Sequence, residues 1–314
     1  MEHKQLPSNQ QNVPQFEIIT LGVAAGPAIR GCEAGMSTAV LVDGAFYIVD
    51  FGLGCTRSAH ESGLRGKHLR AGFITHLHSD HVAELPAFLM WNWGSPVDGF
   101  EKQVKLFGPG PDPSFEQKNP RLHGTSGMMA HIQEAFSYDL HIRENDESRP
   151  HFSDLLETVD LDVPEPGSER IFEVYRDLHV VVSAVLVDHP PVFPAVAYRF
   201  DTRYGSAVIS GDTAESKALV ALARDCDMLI HEAVNLDFYR RKKFAPAFIA
   251  HQANSHTPPE GAGRVAKAAG AKHLVLSHLA GQMSEDMWQS RAATTYSGPI
   301  SVAHSGQRFT VASH

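Results

Sequence analysis

With 314 residues, 43% of them hydrophobic and 20% charged, the chain can bury a large core, and no stretch approaches the ~20 apolar residues that span a bilayer. A formal net charge of −9 excludes a global basic field drawing it to nucleic acid or anionic membrane, although a local basic patch stays open. Cys32, Cys55 and Cys226 are scattered without a C-x-x-C spacing, so they read as small buried hydrophobes rather than metal or redox sites.

Met1 to Gln15 is polar and holds two prolines, which predicts a disordered arm ahead of a single folded unit over residues 16–314. It lacks the apolar stretch of a signal peptide. The compartment is open: cytoplasmic as the chain stands, exported if a leader has been removed. Phe16 to Gly22 reads as a short strand, followed by a glycine-rich loop through Gly26, Gly31 and Gly35. Ala39–Val42 and Ala45–Val49 flank Asp43-Gly44, a hairpin signal. Asp50 to Gly54 turns the chain toward a helix near Thr56–Ser62. Ala71 to Thr75 is a buried strand that delivers His76-Leu77-His78-Ser79-Asp80-His81, and a helix is expected over Val82–Trp91. Val104 to Pro109 is a further strand. Between Asp112 and Arg170 the pattern loosens, apart from a helical stretch Gly124–Tyr138 with Met128, Met129, Ile132 and Phe136 on one face. Strands resume at Ile171–Tyr175, Leu178–Val187, Ala195–Phe200 and Ser206–Ser210, the last leading into Gly211-Asp212-Thr213. Helix Ser216–Asp225, strand Met228–Ile230, helix Pro259–Ala269 and strand His273–Leu276 complete the series. The two halves share a strand-then-helix rhythm, which predicts an α/β protein built as a four-layered αββα sandwich.

Nineteen histidines are an unusual number, and their placement matters more than their count. Imidazole nitrogen and carboxylate oxygen are good zinc donors, and a tetrahedral site needs about three protein ligands plus an open water position. Along an extended loop His76 and His78 fall on one side, with Asp80 and His81 one turn farther on. Four donors within six residues can therefore start two sites, whereas a lone histidine would read as a solvated loop residue.

The H-x-H-x-D-H string resembles the signature of the metallo-β-lactamase superfamily, and the likeness extends over about residues 16–312. The resemblance implies the metallo-β-lactamase fold and two Zn2+ ions per chain, with Mn2+ or Fe2+ accepted by the same donors. It assigns His76, His78 and His189 to one ion, and Asp80, His81 and His278 to the other, with Asp212 bridging. It further implies a metal-bridging hydroxide nucleophile, formed from a water whose proton Asp80 receives.

Three strings resemble the ribonuclease Z branch, which also holds arylsulfatase-like and small-molecule phosphodiester hydrolases. They are Pro194 to Phe200, Leu222 to Ala233, and Ser255-His256-Thr257. By that resemblance His256 donates a proton to the leaving group and Glu232 orients it. His231 reads as a core histidine, His251 as a rival to His256 without a family match, and Asp50 as an anchor of the histidine loop. One departure stands out. The long arm that grips transfer RNA in ribonuclease Z would lie between Tyr198-Arg199 and Ser210-Gly211-Asp212-Thr213, and here only Phe200 to Ile209 joins them. Extra residues fall instead at 113–170 and 236–257. The first of these, with Trp91 and Trp93, reads as an apolar lid, a core element or a dimer contact. Arg240-Arg241-Lys242-Lys243 reads as a solvated helix face rather than a steering patch.

The sequence thus points to a dinuclear zinc hydrolase of small ester substrates: aryl sulfate, phosphodiester or carboxylic ester. The alternatives are an RNA 3′-processing endonuclease of ribonuclease Z type, hydrolysis of a β-lactam, lactone or aryl halide, and a non-catalytic binding module. Filled ligand positions speak against the last. A small-molecule ester is the expected partner, a homodimer is implied by resemblance, no membrane is involved, and the missing arm counts against nucleic acid.

Overall fold

The computed structural model describes residues 15–112 and 122–311. The predicted disordered arm therefore lies, but for Gln15, outside the described residues, as does part of the first insertion. Two seven-stranded mixed sheets face each other. The first runs β14-β1-β2-β3-β4-β5-β6, with β1 Phe16–Gly22, β2 Ser37–Val42, β3 Ala45–Val49, β4 Leu69–Phe73, β5 Val104–Pro109, β6 Leu156–Leu161 and β14 Gln307–Thr310. The second runs β13-β12-β11-β10-β9-β8-β7, with β7 Phe172–Arg176, β8 Val180–Leu186, β9 Val196–Thr202, β10 Gly205–Ile209, β11 Met228–Val234, β12 Leu274–Ala280 and β13 Ile300–Val302.

Each sheet begins as an antiparallel meander and continues in parallel strands. Tight turns can join only the antiparallel part; the parallel part needs crossovers, and these supply the outer layers. Asp43 and Gly44 carry φ of 51° and 81°, the doubly left-handed geometry of a two-residue hairpin turn. The crossovers of the first sheet are α1 (Cys55–Glu61), α2 (Ser79–Val82), α3 (Leu85–Trp91), α4 (Thr125–Ala135), α5 (Ser137–Asn145) and α6 (Phe152–Leu155). Those of the second are α7 (Lys217–Leu222), α8 (Leu236–Arg241), α9 (Pro246–Ser255), α10 (Pro259–Ala269) and α11 (Glu285–Ala293). The inner faces meet through aromatic rings, Phe73 lying 5.3 Å from Tyr198 and 5.4 Å from Phe200 between centroids. The outer faces bury Phe46, Ile48 and Leu106 on one side and Val208, Leu229 and Leu276 on the other. This is the expected αββα sandwich.

Several expectations change. The helix foreseen over Val82–Trp91 breaks at Ala83-Glu84, because the Glu84 carboxylate turns to accept the Gly54 and Thr56 N–H groups at 2.6 and 2.9 Å. Of the three readings of the first insertion, its methionine-bearing helix takes the core one. Met129 is buried, Met128 and Ile132 pack beside it, and Trp93 is fully buried with its indole N–H donating to Pro150 O at 2.9 Å. Trp91 is exposed. Cys55 and Cys226 are buried as expected, but Cys32 is exposed on the glycine-rich loop. Arg240 to Lys243 are exposed, and Arg240 pairs with Asp237 at 3.1 Å, which fits a solvated face. Among the described residues no helix is long and apolar enough to cross a membrane.

No arm interrupts the second sheet. β9 and β10 are joined by Arg203-Tyr204 alone, and that turn is tied to the first sheet: Tyr204 Oη donates to Asp43 Oδ1 at 2.7 Å and Arg203 to Oδ2 at 3.0 Å.

Candidate metal centre

After β4 the chain leaves the sheet, and its next residues are fixed by a buried carboxylate. Asp50 accepts from Thr75 N and Thr75 Oγ1, each at 2.8 Å, and from His81 Nδ1 at 2.8 Å. Asp50 is thus the anchor the sequence proposes, and it also aims His81. Beyond it, His76 and His78 precede α2, which carries Asp80 and His81. His189 follows β8, and Asp212 follows β10. His278 lies inside β12 rather than beyond it. Ser277 pairs with Glu232 and Leu279 with Ala233, so His278 is the extra residue of a bulge, with φ of 42°. Bulges re-aim side chains beside functional sites, and this one turns an imidazole toward Asp80 and Asp212.

The seven predicted donors converge. One set, His76, His78, His189 and Asp212, and a second, Asp80, His81 and His278, each offer ligand atoms within 4.8 Å of one another. His189 Nε2 lies 3.4 Å from His78 Nδ1. His278 Nε2 lies 3.3 Å from His81 Nε2, 3.4 Å from Asp80 Oδ2 and 3.3 Å from Asp212 Oδ1. Asp212 also stands 3.8 Å from His76 Nε2 and 3.3 Å from His81 Nε2, so it touches both sets. Buried His76 Nε2 and Asp212 Oδ1 make no hydrogen bond. Buried polar atoms seldom go unsatisfied, and nitrogen and oxygen donors aimed at a common centre fit divalent cations.

Outer partners orient the donors. His189 Nδ1 donates to Ser255 O at 2.9 Å, which leaves Nε2 as its ligand atom. Gly26 N, from the glycine-rich loop, donates to Asp80 Oδ2 at 2.8 Å. Glu232 Oε1 accepts from Thr213 N at 2.7 Å and faces His256 Nδ1 at 2.9 Å. His256 Nε2 has no hydrogen-bond partner among the described residues, and the ring lines the cavity shared with Asp80, Asp212 and His278.

Charge follows this geometry. Burial lowers the pKa of His76 and His78, and brings His189 down to about 4, so these imidazoles stay neutral and keep their lone pairs. Burial also opposes charge on Asp212, but His278 and His81 outweigh it and hold the carboxyl well below its usual range. His81 differs: against burial, Asp212 and Asp50 lift its pKa well above that of free imidazole. Carboxylates that draw a proton here draw a cation in its place. Burial raises Glu232; for His256 burial is outweighed by Glu232, which lifts it to about 9.

A sequence profile of the metallo-beta-lactamase superfamily matches residues 30–251. The chain belongs to that superfamily. It is a metal-dependent hydrolase, and within the superfamily it is similar to the ribonuclease Z branch. Ribonuclease Z of Mycobacterium marinum is 29% identical over 301 residues, covering 94% of this chain and 99% of that one. Human tRNase Z, short form, shares the fold with a TM-score of 0.65 at 20% identity, over 94% of this chain and 98% of that chain. YhfI of Bacillus subtilis, a metallo-beta-lactamase fold protein, gives 0.65 at 18% identity over 94% and 98%.

The cavity at the superfamily's metal site also has walls that the sequence did not reveal. Its volume is about 430 Å³, and besides His78, Asp80, Asp212, His256 and His278 it is lined by Arg30, Phe238, Tyr239, Phe244, Phe248 and His251. His251 sits 6.0 Å from His256 between ring centroids, and its Nδ1 lies 3.2 Å from Ser255 Oγ rather than beside a carboxylate. His231 is fully buried, donates from Nδ1 to Glu232 O at 2.8 Å, and does not line the cavity, in keeping with a core role. The available signal was aromatic residues recurring soon after His231-Glu232, in a stretch otherwise read only for its basic run.

Proposed function

We propose that the chain is a dinuclear zinc phosphodiesterase of ribonuclease Z type, cutting at the 3′ side of an RNA. The reading rests on one observation: His256, held through Nδ1 by Glu232, lines the same cavity as His78, Asp80, Asp212 and His278, four of the seven convergent donors. Relatives named ribonuclease Z that match over 94% of the chain favour it over hydrolysis of a small ester. His76, His78 and His189 would hold one ion, Asp80, His81 and His278 the other, and Asp212 would be shared. When bound, the ions supply positive charge against the reacting phosphoryl group and lower the pKa of nearby water. Asp80, fixed by Gly26 N–H, takes a proton from the attacking water. His256 gives one from Nε2 to the leaving oxygen, while Glu232 holds its Nδ1–H in place. Thr213 N–H keeps Glu232 from swinging away.

A second reading, hydrolysis of a small aryl phosphodiester or sulfate ester, is favoured by the two-residue turn between β9 and β10 and by the aromatic cavity. The zinc-loaded protein should be assayed on a precursor transfer RNA with a 3′ extension, beside bis(p-nitrophenyl) phosphate and p-nitrophenyl sulfate. Cleavage of the precursor supports the leading reading, and turnover of the reporters alone supports the second. Inertness toward all three with both ions bound rejects both. A homodimer, proposed on resemblance, is checked by sedimentation of the same sample.

A further inference from the structure

The aromatic wall comes from α8, α9 and the turn that joins them, and Asn235 fixes the start of α8 by donating from Nδ2 to Gln282 O at 2.8 Å and accepting from Phe238 N at 3.3 Å. Tyr239 is buried and forms the base of the wall. Phe244 and Phe248 pack on it at centroid distances of 5.1 Å each, and on one another at 5.2 Å. Yet Phe244 remains 42% and Phe248 37% exposed, on the cavity that also holds Asp80, Asp212 and His256. A core does not need two phenyl rings left half open beside a polar, metal-binding centre. Across the lining stands Arg30, the one Arg or Lys side chain of this cavity among the described residues. Its Nε donates to Ala25 O at 2.9 Å, which steadies the side chain, and its terminal nitrogens make no hydrogen bond or ion pair among the described residues. Open aromatic faces receive planar rings, and a planar guanidinium with free N–H groups receives phosphate oxygens.

We propose that Phe244 and Phe248 form a stacking seat for a planar ring carried on the reacting phosphoryl group, with Arg30 as the anchor of that group's anionic oxygens. The proposal rests on the phosphodiester reading above and names the substrate class it implies: phosphate esters whose alcohol carries a planar ring, directly as in an aryl ester or through a ribose as in a nucleotide. A nucleobase and an aryl group share that chemistry. The cavity of about 430 Å³ has room for one such ring and its phosphate.

The test is equilibrium binding to the metal-loaded protein, which needs no turnover. Uridine 5′-monophosphate is compared with ribose 5-phosphate, and phenylphosphonate with methylphosphonate. A ring should strengthen binding about ten- to hundredfold in at least one pair. F244A and F248A should erase that preference with metal content unchanged, F248W should retain it, and F248L, apolar but ringless, should lose most of it. R30A should weaken ringed and ringless ligands alike and leave their ratio intact. Preference for uridine 5′-monophosphate assigns the seat to a nucleobase, and preference for phenylphosphonate alone assigns it to an aryl ester. Equal binding within both pairs, or full preference kept in F248L, overturns the proposal. A ring preference in a protein that hydrolyses no phosphodiester would instead sink the proposed function and leave the seat standing.

Discussion

Replacing Asp50 with asparagine preserves shape while forcing one imidazole to choose a tautomer. Asp50 is fully buried and accepts three hydrogen bonds through two oxygens. An asparagine has one acceptor, and the Thr75 backbone N–H, which cannot turn round, claims it. The new NH2 then faces the Thr75 hydroxyl and His81 Nδ1. The hydroxyl can rotate to accept, but His81 can accept only by moving its proton to Nε2. That nitrogen is the one lying 3.3 Å from Asp212 and 3.6 Å from Asp80, where a cation needs a lone pair. The φ of 63° at Asp50 is no obstacle, since asparagine tolerates the left-handed region as aspartate does. In the metal-free protein the loss is one hydrogen bond to a charged group, about 1.5–3 kcal/mol. In the loaded protein, losing the partner that orients a ligand costs a further ~10–100-fold in metal affinity. Zinc competition against a chromophoric chelator reads the second quantity, and urea unfolding of the stripped protein reads the first. Wild-type zinc affinity in D50N would refute the orienting role. A loss well beyond about 3 kcal/mol in the stripped protein would show that Asp50 serves the fold rather than the tautomer.

Gly52 lies under the same loop, and a Cβ there would come within 2.5 Å of Asp80 O and Met36 N, both backbone atoms. G52A should therefore cost about 3 kcal/mol in thermal unfolding and reduce bound metal, and a neutral substitution would disprove the close packing. Tyr47 Oη donates to Asp177 Oδ2 at 2.6 Å inside the sandwich, and none of the seven donors takes part. Y47F should lower stability by about 1–2 kcal/mol with turnover unchanged; a loss of metal would contradict that separation. His231 is fully buried, and burial lowers its pKa from 6.5 to about 4. Its folded pKa lies below the unfolded value, so acid favours the unfolded chain, and stability drains away as pH falls from about 6.5 toward 4. By pH 4.5 this one group should remove about 2–3 kcal/mol from the metal-free protein, a loss H231Q should escape. Parallel acid profiles for the two proteins would count against it.

How much of this was visible in the sequence depends on how local the signal is. The Asp43-Gly44 hairpin was legible because its two φ values are written in the residue types. The helix Pro259–Ala269 has the predicted limits, since proline opens it and Gly270, with φ of 69°, closes it. The donors could be read from one dense string and three later positions that follow its family order. β6 could not, because Leu156 to Leu161 is only half buried and its alternation is blurred. The methionine-bearing helix packs on the sheet, one of the three readings its sequence left open, whereas the rings at the cavity mouth are divided between a short helix, the turn after it and the next helix, so no single element shows their apolar face. Nor does the His278 bulge leave a local trace. It arises from register between β11 and β12, a property of two strands rather than one.

The donors hang on both sheets, so the centre exists only if the sheets keep their relative position. Two hydrogen bonds hold that position at the site itself: Tyr198 Oη donates to Ile74 O at 2.8 Å, and Val196 N donates to Thr75 O at 3.0 Å. At the other end of β9 the Arg203-Tyr204 turn closes on Asp43. The strand is thus clamped at both ends to the first sheet, and the place where an RNA-gripping arm would emerge is spent on that clamp. On the proposal above, discrimination between substrates falls to what surrounds the cavity, namely the glycine-rich loop with Arg30 and the helix–turn–helix segment carrying Phe244 and Phe248. Exchanging those segments should change which ester is bound while the Asp50–Thr75–His81 network and the metal it orients stay as they are.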